Sequence, residues 1–183
     1  MSTSLWKIIL VGAILTLLGS ACKNDLQEVR DAFSRKDVQV ETIRNFETLY
    51  SDSAIVRVKI TGPTMLRHLD EKDPREEFPD GVEVFFYDNQ QRITGTLTSN
   101  YAVRVQKENQ IIVRDSVIWE SVGADRLETE ELIWDEQEQK VFTNKFVVLE
   151  RKDEIVWGQG FESDQDFTRS RIKAIEGRIR LDE

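Results

Sequence analysis

From about Val38 onward the chain alternates apolar and polar side chains in short runs divided by turn-forming residues. Successive side chains of an extended strand point to opposite faces, so a period of two predicts strands with one buried and one wet face. Residues 54–60 place Val56, Val58 and Ile60 on one face, and Gly62-Pro63 follows as a breaker. Asp80-Gly81 and Asp88-Asn89 bracket Val82–Tyr87, and alternation resumes over residues 93–105. Runs at 111–113, 117–119, 132–134, 141–142, 146–149 and 155–157 continue the series. Each is rich in β-branched or aromatic residues and bounded by polar clusters such as Lys107-Glu108-Asn109 or Asp135-Glu136-Gln137. Residues 67–80 are charged, carry Pro74 and Pro79, and predict a surface loop. Short strands at regular spacing predict an all-β meander, sandwich or barrel.

A unit of about 30 residues also recurs. Thr98-Ser99-Asn100-Tyr101-Ala102-Val103 leads to residues 111–117, and Thr129-Glu130-Glu131-Leu132-Ile133-Trp134 leads to 141–147. Gly158-Gln159-Gly160-Phe161 then leads to 171–173. Stacked units of this kind leave open sheet ends, which can add a strand from a partner.

The N-terminal pattern differs. Residues 8–18 are apolar except Gly12 and Thr16, Lys7 precedes them, and Gly19-Ser20-Ala21 follows. This is the layout of a secretory signal peptide. The run is shorter than the roughly 20 residues a spanning helix needs. Leu18-Gly19-Ser20-Ala21-Cys22 resembles a bacterial lipobox, which implies cleavage before Cys22 and lipid attachment to its sulfur. A retained transmembrane anchor and simple secretion are the alternatives. Residues 22–39 are polar and charged and read as a tether between anchor and domain, although Leu26, Val29 and Phe33 have helical spacing. The expected organisation is a signal at 1–21, a lipidated Cys22 with tether at 22–39, and a β domain at 40–183.

Composition narrows the function. A formal net charge of −9 repels phosphate backbones, so nucleic-acid binding is not expected. The single cysteine excludes an intrachain disulfide. His68 is the only histidine, placed in the charged loop as an exposed residue; a triad with Ser53 and an aspartate would need an ordered base and an oxyanion hole. No His/Cys cluster has metal spacing, and Gly158-x-Gly160 is not followed by a helical pattern. Neither catalysis, metal nor cofactor is expected. Trp119, Trp134 and Trp157 lie on successive strands of the repeat, as core residues or as the lining of a groove.

Five segments carry a family resemblance. They are Leu49-Tyr50-Ser51-Asp52-Ser53-Ala54, Glu77-Phe78-Pro79-Asp80-Gly81, Phe86-Tyr87-Asp88, Thr129-Glu130-Glu131-Leu132-x-Trp134-Asp135 and Gly158-x-Gly160-Phe161-x-Ser163. In this order, over residues 40–180, they resemble the LptC family, the periplasmic component of the lipopolysaccharide export ABC transporter. The resemblance implies a boat-shaped or jelly-roll-like stack of antiparallel strands around a hydrophobic groove. It also implies that the protein accepts lipopolysaccharide from the transporter's membrane subunits and passes it to an LptA-like periplasmic protein, driven by ATP hydrolysed elsewhere. Better-known members carry a transmembrane helix, whereas this chain reads as an inner-membrane lipoprotein facing the periplasm.

On this reading one face of the strands lines the groove: Val58, Ile60, Val84, Phe86, Tyr101, Val103, Val117, Trp119, Leu132, Trp134, Phe146, Val148, Trp157 and Phe161. A final strand interrupted near Gly177 carries Ile172, Ala174, Ile179 and Leu181 and is expected to dock the LptA-like partner by strand addition. The competing readings are an envelope lipoprotein that binds polysaccharide or protein through a β-sandwich, a lipoprotein enzyme, and a structural bridge that never touches lipid.

Overall fold

The computed structural model describes residues 40–70 and 72–181. The predicted signal at 1–21, Cys22 and the tether at 22–39 lie outside the described residues. The alternating runs form β1 (Val40–Asp52), β2 (Ile55–His68), β3 (Arg75–Phe78), β4 (Val82–Tyr87), β5 (Ile93–Ser99) and β6 (Tyr101–Val105). They continue as β7 (Gln110–Ser121), β8 (Arg126–Asp135), β9 (Lys140–Glu150), β10 (Glu154–Asp164) and β11 (Ser170–Arg180). Every pairing is antiparallel. Among the described residues no helix is long and apolar enough to cross a membrane.

The order of pairing is β11-β10-β9-β8-β7-β5-β4-β2-β3-β6, with β1 on β2 and β6 returning to β7. Two routes therefore join β2 to β7. The first half of β2 pairs with β4, which leads through β5 to the second half of β7. The last residues of β2 pair with β3, which leads through β6 to the first half of β7. β2 and β7 thus each contribute one half to each of two layers, the arrangement of a jelly roll.

The bends have local causes. Asp115 and Ser116 sit at positive φ in the middle of β7, and the register with β8 shifts there. Such bulges turn a strand sharply. The chain passes between layers at Asn100, whose N–H donates to the Asp115 carbonyl at 2.9 Å. It also passes at Pro79-Asp80-Gly81, where Gly81 has φ +86° and a Cβ would lie 2.5 Å from the Ser99 carbonyl oxygen. Only glycine fits that corner.

Three expectations change here. The charged stretch 67–80 is not one loop: β2 runs on to His68, and β3 forms within the stretch. Phe78 drives this, being buried with its ring 5.0 Å from that of Phe46. His68 is accordingly half-buried, its Nε2 3.0 Å from Glu77 Oε2, and is not a free loop residue. Finally, β11 is not interrupted near Gly177. Trp157 pairs with Gly177 and Gly158 with Ile175, so Glu176 is accommodated as a bulge in a continuous strand.

The core lies between the layers and includes Phe46, Leu97, Val117, Leu127, Val147 and Phe161. Some acidic side chains form ion pairs with basic ones on neighbouring segments, such as Arg114 with Glu131, Arg171 with Glu162, and Arg104 with both Glu136 and Glu76. Exposed pairs of this kind add little stability each.

Candidate functional site

The layers do not quite meet. From one side Val58, Ile60, Val84, Phe86 and Leu97 face an apolar slot; from the other Ile111, Val113, Leu132, Trp134 and Val141 face it. Strand register sets this alignment. Ile60 lies opposite Val84 and Val84 opposite Leu97, while Val113 lies opposite Leu132 and Trp134 opposite Val141. Across the slot the Tyr50 ring meets the Trp134 ring edge-on at 5.4 Å, tying β1 to the opposite layer. The buried Nε1 of Trp134 has no hydrogen-bond acceptor among the described residues.

The polar lining is confined to Arg57, Tyr50 and the turn after β10, where Gln165 and Asp166 join it. Arg57 and Gln165 are half-buried and Asp166 is exposed, so the slot reaches the surface at this end. Arg57 donates to Asn89 and has no carboxylate partner among the described residues. The free space is about 50 Å³. That is room for a few water molecules, at about 10–15 Å³ of such cavity volume each.

The same turn closes the slot. Phe167 stacks on Trp119 at 4.3 Å and meets Phe86 edge-on at 5.6 Å. Asp164 organises the turn: its carboxylate accepts from the Thr168 N–H at 2.7 Å, the Thr168 hydroxyl at 2.5 Å and the Arg169 N–H at 3.3 Å. Burial opposes the charge on Asp164, but these hydrogen bonds outweigh it and hold the carboxyl below its usual range. It is therefore charged at neutral pH.

Of the predicted lining, Val58, Ile60, Val84, Phe86, Leu132 and Trp134 come together around the slot. Val117, Trp119 and Phe161 face the same interior but lie in the packed core. Five residues do not belong. Tyr101 and Val103 point away, because Ala102 takes the inner face opposite Val113; the Tyr101 hydroxyl donates to Glu77. Phe146 is exposed and Val148 half-buried, since Val147 and Leu149 face inward. Every position from 146 to 149 is apolar, so alternation could not set the phase there. Trp157 lies over Gly177, and Val156 is the more buried neighbour. Val113 and Val141 were missed through the same uncertainty of phase, whereas Leu97 was missed although its threonine neighbours mark its face. Phe167 was missed for another reason: it stands in a polar turn with no periodicity.

The expected partner edge is also split. Ile172 is half-buried against the core, opposite Phe161. Ala174, Ile179 and Leu181 are exposed, as is Ile175, and β11 ends the sheet with only β10 beside it.

No curated protein matches the chain. The family model described as lipopolysaccharide-assembly, LptC-related, matches residues 7–174, nearly the whole sequence and all but the last residues of the β domain. With the antiparallel all-β fold, this bears out the resemblance: the chain belongs to the LptC-related family of lipopolysaccharide-assembly proteins.

Proposed function

We propose that this protein, a component of lipopolysaccharide transport by its family, takes lipopolysaccharide acyl chains into the slot between its layers and passes them to an LptA-like partner. The slot is the observation that carries the reading. It is apolar on both walls and polar only at one end, which matches a lipid with an anionic head. Burial of acyl chains contributes about 0.8 kcal/mol per CH₂. Arg57 offers a charge at the mouth, and the unpaired indole N–H of Trp134 would gain from an ester or hydroxyl oxygen of the lipid. Anchoring through a lipidated Cys22 in the inner membrane, with the domain in the periplasm, completes the proposed arrangement. The transporter's membrane subunits deliver the lipid. A sugar-binding face would need exposed Trp or Tyr, and among the described residues the exposed large apolar side chains include neither.

Photo-crosslinking with the full chain in cells tests the reading. Benzoylphenylalanine at Phe86 or Trp134 is expected to capture lipopolysaccharide. Capture only from outer positions such as Glu83 or Lys173 would reject it.

The hand-off is assigned to β11 because its free side can extend the sheet. Changing the exposed Ile175 and Ile179 together to Asp is expected to weaken binding of an LptA-like protein by roughly tenfold or more, since inserted charges block edge pairing. A pull-down or calorimetric titration that shows unchanged affinity would move the docking site elsewhere.

A further inference from the structure

Phe167 lies in the turn between β10 and β11, where side chains ordinarily face water. Its ring instead packs against the core, nearly parallel to Trp119 at 15° and within 6.4 Å of the Phe161 ring. Its φ of +55° is in the left-handed region, and no other aromatic among the described residues adopts it. A bulky side chain is rare in that conformation and persists only where surrounding contacts hold it. Here the contacts are the ring stack inside and the Asp164 clasp behind.

The slot has room for little else. With Phe167 in place the free cavity volume is about 50 Å³, room for only a few water molecules. The ring of Phe167 already fills the place beside Phe86 and Trp119. Phe167 is also the lining aromatic that does not belong to a strand. The turn that carries it can move without breaking the pairing of β10 with β11, which ends at Ser163 and Ser170.

We propose that Phe167 is a displaceable plug: the β10–β11 turn holds its ring where an acyl chain sits, and loading swings the turn outward. This rests on the slot being the acyl-chain site. The plug sets the fraction of molecules able to accept lipid, and apparent affinity falls with that fraction. It keeps an empty conduit from exposing apolar walls, and it makes entry selective for chains that can replace an aromatic ring on Trp119.

The experiment compares the full chain with its Phe167→Ala and Phe167→Trp variants in cells, each carrying benzoylphenylalanine at Tyr50 as the probe for lipopolysaccharide. Phe167→Ala is expected to raise capture by roughly threefold or more, and Phe167→Trp to lower it, as the open fraction changes. Equal capture in all three, or a fall with Phe167→Ala in protein that remains folded, overturns the plug and leaves the lipid reading standing. Capture from none of them, nor from Phe86 or Trp134, overturns both. A second measurement needs no substitution, should Phe167→Ala fail to fold. Hydrogen exchange of residues 164–169 in the unaltered chain is expected to quicken when lipopolysaccharide is added. Unchanged or slower exchange on loading overturns the plug.

Discussion

Phe161→Ala is expected to lower the unfolding free energy by about 3–5 kcal/mol, the range for deleting a buried aromatic ring. Phe161 is 1% exposed and lies opposite Thr143 on β9, which is wholly buried, and Ile172 on β11. Apart from Phe167, whose ring centroid lies 6.4 Å away on a turn, its neighbours are held in paired strands, so they collapse only partly into the space left behind. The cavity term then adds to the lost transfer energy. A domain of this size has about 5–15 kcal/mol in total, so the variant would lose a large share of its stability. Urea unfolding should show a lower midpoint with little change of slope. A loss below about 1 kcal/mol would mean that the interior relaxes freely and that the two layers are not tightly packed there. The contrast with Phe167 is informative. Both rings face the same interior, but Phe161 is carried by a strand and Phe167 by a turn, so removal of the second ring should act mainly on access to the slot.

Gly158→Ala is expected to unseat β11. A Cβ at this position would lie 2.0 Å from the Ala174 carbonyl oxygen and 2.9 Å from the Ile175 Cα. Both obstacles are backbone, so no rotamer change relieves the overlap, and the strands must part. Overpacking a tight site costs about 1–3 kcal/mol, and more where only the backbone can yield. The effect should be local: residues 170–180 lose hydrogen-exchange protection while β7, β8 and β9 keep theirs. Partner binding should fall with it if β11 is the docking edge. Gly177→Ala makes a useful comparison, because its Cβ would meet at 2.1 Å the half-buried Trp157 ring, a side chain and not backbone. Unchanged protection of β11 in Gly158→Ala would contradict the close approach at the bulge.

The strand content was legible because it rests on the simplest signal, alternation of period two between turn residues. Val58, Ile60 and Val84 illustrate it: each lies in a run with charged alternates, Lys59 and Glu83, which leave one choice of inner face. Where the alternates are apolar, as around Phe146 and Trp157, either face satisfies the pattern and the choice failed. The charged stretch before Phe78 hid a strand, because β3 has a single apolar residue, Phe78, and is otherwise held by pairing with β2 just before it and with β6 further along the chain.

By itself the sequence determined the all-β class, most of the turns and, through ordered short segments, the family. These depend on local composition and on the order of residues, which are present before folding. Only the tertiary structure decided which bulges bend each strand between two layers and which side of each apolar run faces the slot. It also brought Arg57 to the mouth and Phe167 into the slot. Those outcomes depend on register between strands far apart in the chain, where a shift of one residue reverses every face. A turn aromatic acquires its role only when the layers it closes have come together.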